Sequence, residues 1–296
     1  MSTFIDLLHR AMRRRYRRAG FSSRLLECGR FTLNYYECHR SDSARTLLLV
    51  HGLGTSSSTW THVLPKLSTT CNVIALDLPG FGLSTVNSGT GFARFHELYN
   101  ALVEFIRQKS AQPILLLGHS LGGWIAAKVA VNHPEMVAHL VLVNNAGIFC
   151  EDTVRQGSAF QVESIGDLRS LLNLIWFRYP WYFRPFYPAV LNDLRRRHVA
   201  EFVRSIQAKD FLNDELRKLA VRVSIIWGRR DNLISMKSVE IMERSIPHTP
   251  VHLLDKCGHV PQLERPKEFL NVVQRILEQQ ESKRQAPRPS SAPPRP

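Results

Sequence analysis

The run Gly118-His119-Ser120-Leu121-Gly122-Gly123 sets a serine between glycines at a spacing suited to nucleophilic catalysis. An apolar stretch, Ile114 to Leu117, precedes it, and a helix-compatible stretch, Trp124 to Asn132, follows. Strand, tight turn and helix in that order lift a hydroxyl above a sheet edge on a strained backbone. Side chains at 118 and 122 would collide where strand and helix meet. A serine hydroxyl is a weak nucleophile alone; it needs a base, and the base needs an acid to orient it. With this kind of elbow the acid, and then the histidine, come later in the chain. Val223 to Trp227 reads as a buried strand running into Gly228-Arg229-Arg230-Asp231, which makes Asp231 the candidate acid. Among its rivals, Asp210 and Asp214 fall in a polar helical stretch, and Asp255 is too close to the histidine loop. Val251 to Leu254 reads as the last strand, followed by Cys257-Gly258-His259-Val260-Pro261, and His259 is the candidate general base.

A tetrahedral oxyanion needs two fixed N–H donors. Leu121, first in the helix after the serine, supplies one. The strand Thr46 to Val50 leads into His51-Gly52-Leu53-Gly54, and the N–H of Leu53 is the expected second donor. His51 reads as a brace for that loop. His119 points away from the reacting atoms and shapes the site. Asp77-Leu78-Pro79-Gly80-Phe81-Gly82, after the strand Val73 to Leu76, reads as a turn that supports the first oxyanion loop.

These motifs resemble those of the α/β-hydrolases of the single-domain, cap-bearing type, from the first strands near residue 30 to a helix ending near 281. The resemblance implies an α/β fold: a mostly parallel central sheet flanked by helices, with a helical cap or lid insertion. It divides the chain into a basic amphipathic segment (1–22), a core (23–148 and 220–281), a cap (149–219) and a disordered Pro/Arg-rich tail (282–296). Haloalkane dehalogenases and related epoxide hydrolases carry aspartate at the elbow, whereas Ser120 favours an acyl-enzyme route. Some lipases place the acid after the strand that follows the elbow helix; that strand here, Leu140 to Val143, leads into Asn144-Asn145, which strengthens Asp231.

Eight of the twelve residues from 176 to 187 are aromatic, so the substrate class is sought in the cap. The stretch resembles caps of bacterial lipases and of monoacylglycerol-lipase-type hydrolases. It implies an acyl-chain tunnel or a membrane-touching lid; packing of cap helices onto the core is the competing reading. The expected substrate contacts are Gly52, His119, Trp176, Phe177, Trp181, Phe183 and Val260. The expected function is a serine esterase or lipase acting on a small-molecule or lipid ester, fatty-acyl or monoacylglycerol-like. A carbon–carbon bond hydrolase of ring-cleavage products, an acyltransferase, and a slowly turning-over ligand-binding receptor or scaffold stand as alternatives.

The net charge of +14 is concentrated at the ends. Residues 1–30 hold eight arginines against Asp6 and Glu27, and residues 282–296 hold four cations and no acid. Ile5, Leu8, Met12 and Tyr16 recur at helical spacing among Arg10, Arg13, Arg14, Arg17 and Arg18. That pattern suits peripheral contact of residues 1–20 with an anionic membrane; a flexible basic arm, a helix packed on the body, and a transit peptide are the competing readings. No nucleic-acid module is visible. Five cysteines without metal-ligand spacing and no secretory signal point to a cytoplasmic protein, peripheral at the membrane if the basic segment binds there. No metal or cofactor is expected, and the assembly is expected to be a monomer or dimer.

Overall fold

Near-continuous apolar runs fill the central strands and so clothe both faces of one sheet. In the computed structural model, which describes residues 4–42, 44–89 and 91–285, nine strands join that sheet. They are β1 (Ser22–Cys28), β2 (Phe31–Cys38), β3 (Thr46–Val50), β4 (Asn72–Leu76), β5 (Thr85–Val86), β6 (Ile114–His119), β7 (Val137–Val143), β8 (Arg222–Gly228) and β9 (Val251–Leu254). Their order is β1-β2-β4-β3-β6-β7-β8-β9, with β5 beside β2. Pairings of β2 with β1, β4 and β5 are antiparallel, and those from β4 through β9 are parallel.

Leu48, Val50, Leu116, Leu142, Ile225 and Trp227 face one core, while Leu47, Leu49, Leu115, Leu117, Val143 and Ile226 face the other. Successive residues of a strand point to opposite faces, so a doubly covered strand must be apolar throughout. Helices Phe95–Lys109, Leu121–Asn132 and Lys237–Ser245 cover the first face. The helix Pro266–Gln285 covers the second with Phe269, Val272, Val273 and Ile276. It runs four residues past the expected limit of 281, and the part of the expected disordered tail from 286 to 296 lies outside the described residues.

The N-terminal helix Phe4–Arg18 also packs on the second face. Met12 and Tyr16 are buried there, with the Tyr16 ring against Phe21 and Tyr36 and its hydroxyl donating to the Ser57 carbonyl at 2.7 Å. The apolar side of this helix is therefore used inside the protein. The side chains of Ile5 and Leu8 lie outside the described residues.

Between β7 and β8 the chain builds helices Thr153–Ser158, Ile165–Ile175, Tyr187–Arg196 and Val199–Arg204 with short 3-10 turns. This helical insertion is tied to the helix after the elbow. Trp124 Nε1 donates to the Asp210 carbonyl at 2.7 Å, and Lys128 pairs with Glu215 at 2.8 Å. No helix among the described residues is long and apolar enough to cross a membrane.

Tyr16→Ala is expected to lower the unfolding free energy by roughly 3–5 kcal/mol, in the range for deleting a buried aromatic. Tyr16→Phe, which removes only the bond to Ser57, is expected to cost about 1 kcal/mol. Urea unfolding of the full chain measures both, and no change in Tyr16→Ala would mean the helix does not belong to the core.

Candidate active site

The C-terminal ends of parallel strands gather loops on one edge of the sheet, and four of those ends meet here. At the end of β6, Ser120 has φ 53° and ψ −119°, a left-handed conformation rarely adopted by a side chain-bearing residue. It is held there on both sides: its N–H donates to Val143 O at 2.9 Å, and its carbonyl accepts from Trp124 N and Ala146 N, each at 3.1 Å. A Cβ on Gly118 would overlap Gly122 O and the Gly123 Cα; one on Gly122 would overlap the carbonyls of Val50 and His51. The elbow therefore lies directly on the end of β3, in a contact only glycine allows.

That contact brings the loop after β3 to the serine. A Cβ on Gly52 would lie 3.0 Å from Ser120 Cβ and 2.9 Å from His119 Nδ1. The Gly52 carbonyl accepts from His51 Nδ1 at 2.8 Å and from Thr55 Oγ1 at 2.9 Å. In a trans peptide the following N–H points the opposite way, so the Leu53 N–H is turned away from those partners. Leu53, Ser120 and Leu121 line one cavity.

His51 works as a brace. It is fully buried, donates from Nδ1 to Gly52, and accepts at Nε2 from Leu78 N at 2.9 Å. Both nitrogens are committed to the neutral tautomer, and burial pushes its pKa down to about 4. Asp77 anchors the neighbouring turn, accepting from Ser57 N at 2.7 Å, Asn34 Nδ2 at 2.9 Å and Leu83 N at 3.0 Å.

Past the end of β8, Asp231 is buried and fully engaged. Its Oδ1 accepts from Leu233 N and Ile234 N, each at 2.9 Å; its Oδ2 accepts from Asn144 Nδ2 at 2.6 Å and His259 Nδ1 at 2.7 Å. Every lone-pair direction of the carboxylate meets a protein donor, and His259 is left with Nε2 as its free ring nitrogen. Asn144, which has φ 40° at the end of β7, is the residue that sequence reasoning missed. It holds the acid while also accepting from Gly228 N at 3.3 Å. Its only signal in sequence was its place after a strand that neighbours β8.

His119 joins the elbow to the histidine loop, its Nε2 donating to the His259 carbonyl at 2.8 Å. Its Nδ1 is buried without a partner, and burial, with His259 nearby, holds its pKa well below the ordinary value. The histidine loop is also fastened to the helical insertion. His259 N donates to Ile175 O at 2.7 Å. Glu264 accepts from Gly258 N at 2.8 Å through one oxygen and from Phe177 N at 2.9 Å through the other. Burial pushes the Glu264 carboxyl up, against the pull of those amides.

The cavity beside Ser120 measures about 420 Å³. Its aromatic wall comes from Trp124, Phe149, Phe160, Phe202 and Phe211. None of the other expected substrate contacts lines it. Gly52 and His119 pack under the elbow, and Val260 is buried behind the histidine. Trp176, Phe177 and Phe183 are partly buried outside the cavity, because the aromatic run packs on itself: Trp176 edge-on to Tyr179 at 5.7 Å, and Tyr179 tilted against Tyr187 at 5.8 Å. Trp181 is 72% exposed at its tip. Cys257, two residues from His259, is buried, which raises its thiol pKa far above the usual range.

Comparison with known proteins is consistent with this geometry. The sequence profile of the alpha/beta hydrolase family matches residues 47–272. The chain is 27% identical over 265 residues to the 2-hydroxy-6-oxononadienedioate/2-hydroxy-6-oxononatrienedioate hydrolase of Escherichia coli O139:H28, covering 83% of this chain and 90% of that one. It is similar in structure to a bacterial membrane phospholipase A, with TM-score 0.82, 27% identity, and 94% and 92% of the two chains covered. It is also similar to a candidate lipase of Acinetobacter baumannii, with TM-score 0.81, 26% identity, and 93% and 97% covered.

His51 and His119 are neutral in the folded chain and take up a proton more readily once unfolded. Stability complete above about pH 6.5 is therefore lost as the pH falls toward 4, with His51 alone contributing on the order of 3 kcal/mol. Urea midpoints between pH 7.5 and 4.5 should fall from about pH 6 downward, ahead of the carboxylate range. His51→Gln should flatten that slope.

Proposed function

Because the chain belongs to the alpha/beta hydrolase family, we propose that it hydrolyses carboxylic esters with apolar acyl groups, fatty-acyl or monoacylglycerol-like, through an acyl-enzyme on Ser120. The observation that carries this reading is the apolar cavity onto which Ser120 opens, with Leu53 and Leu121 in the same wall. The acyl chain lies against Phe160, Phe202 and Phe211, and the ester carbonyl sits over Ser120. His259 takes the serine proton as the hydroxyl attacks. Asp231, bound at His259 Nδ1, orients the ring and stabilises its charged form. The amides of Leu53 and Leu121 hold the oxyanion. The alcohol leaves with the proton from His259, and water cleaves the acyl-enzyme by the same route. In this reading the helical insertion is the cap that shapes the acyl site.

The name of the Escherichia coli relative supports a second reading, carbon–carbon bond hydrolysis. A dienedioate carries two carboxylates. Among the described residues lining this cavity the polar ones are Ser120, Thr153 and Gln207, and none is charged. Taking two carboxylates out of water without cationic partners costs several kcal/mol, so the lining favours an apolar acyl group.

Chromogenic acyl esters of increasing chain length provide the test. Turnover highest for medium or long chains, abolished in Ser120→Ala and reduced on the order of 10⁴-fold in Asp231→Asn, is the expected outcome. Val203→Trp, which fills the cavity, should depress long-chain turnover while sparing acetyl esters. Turnover of a dienedioate diketone with none on any ester would replace this reading with the second.

A further inference from the structure

A second cavity, of about 740 Å³, lies between the N-terminal helix and the β1–β2 hairpin, far from acyl chemistry in its lining. Arg10, Arg13, Arg14 and Arg17 form one wall; Ser22, Ser23 and Arg24 of β1 form the other. The four helix arginines are at i, i+3, i+4 and i+7, so they make one stripe along the helix. That stripe lies beside the face buried through Met12 and Tyr16, which fixes its aim. Arg24 is shared with Glu37 at 3.3 Å, whereas the four helix arginines have no acidic partner among the described residues. Like charges gathered this closely repel one another and are usually spread apart or paired.

A second observation points into the same groove. Tyr36 lines it and is 1% exposed, and among the described residues no well-formed hydrogen bond satisfies its hydroxyl, which lies beside the side chains of Asn34 and Ser23. An anionic oxygen seated among the arginines would accept from it. Guanidinium forks, serine hydroxyls and a phenol are the donor set of a phosphate site.

We propose that this groove binds the phosphate groups of an anionic phospholipid surface. Leu25, two residues along the same strand from Ser23, is 65% exposed and places an apolar side chain beside the phosphate donors. A bilayer offers both kinds of contact, and a nucleic-acid backbone offers only one. The mode is electrostatic and at headgroup depth. The helix cannot lay its apolar face into the membrane, because Met12 and Tyr16 already hold it to the body. The inference is independent of the hydrolysis reading and leaves the Ser120 cavity facing its own substrate.

Sedimentation of the full chain with vesicles tests this. Binding is expected to phosphatidylcholine vesicles containing phosphatidylglycerol, and to fall steeply as salt rises. Each arginine at an anionic surface is worth roughly five-fold in affinity, so Arg13→Gln/Arg14→Gln/Arg17→Gln should weaken binding on the order of 100-fold. The same three positions changed to Lys should retain most of it, and Tyr36→Phe should lose several-fold. Ser120→Ala should bind as the wild type does, which separates this result from any failure of hydrolysis. Equal binding to pure phosphatidylcholine vesicles, or binding untouched by the triple substitution or by salt, overturns the proposal. Tighter binding to duplex DNA than to the anionic vesicles at the same salt also overturns it.

Discussion

One backbone contact organises this molecule: the first turn of the elbow helix resting on the carbonyls that end β3. Gly122 meets the carbonyls of Val50 and His51 with no room for a side chain. Because that approach is so close, Gly52 lies beside Ser120, and Leu53 and Leu121, from distant parts of the sequence, line one cavity. The strain at Ser120, whose φ is 53°, is tolerated because hydrogen bonds from β7 and from the helix hold both sides of the residue. Such an arrangement needs a rigid sheet beneath it, and the two apolar faces of the central strands provide one.

Around this contact the protein spends buried polar groups almost entirely on position. His51 ties the loop after β3 to the Asp77 turn, His119 ties the elbow to the histidine loop, and Asn144 ties β7 to Asp231. Each link joins loops that follow different strands, so the distances among Ser120, Asp231 and His259 do not rest on any one loop. Satisfied buried polar networks specify a single arrangement more sharply than apolar packing does. Among the described residues near the elbow, His119 Nδ1 and Asn145 Oδ1 are buried without a hydrogen-bond partner.

Much of the fold and most of the candidate site were legible in the residues. Local chemistry marks the elbow, because only glycine fits at 118 and 122, and strand ends mark Asp231 and His259. The bounds of β3 and β9 are legible to the residue because the residues flanking them are polar or proline. Residues acting across the sheet were not legible. Asn144 reads as a turn residue until β8 is known to lie beside β7. The aromatic run from 176 to 187 is dense in sequence, yet its rings pack edge-on or tilted against one another. Phe149, Phe160, Phe202 and Phe211, which do line the cavity, are scattered singly and converge only once the insertion folds. The helical spacing of Met12 and Tyr16 was plain, but periodicity does not tell whether protein or lipid covers an apolar stripe.

The segment at 175–178 deserves a mechanical view. Ile175 O holds the amide of His259, and Glu264 grips Phe177 and Gly258 together. The middle of the insertion and the loop that carries His259 are thus fastened together by three hydrogen bonds. A displacement of this segment must either carry the His259 loop with it or first break the hydrogen bond to the His259 amide. The insertion and the histidine loop form an interlock: neither moves at this point without disturbing the other.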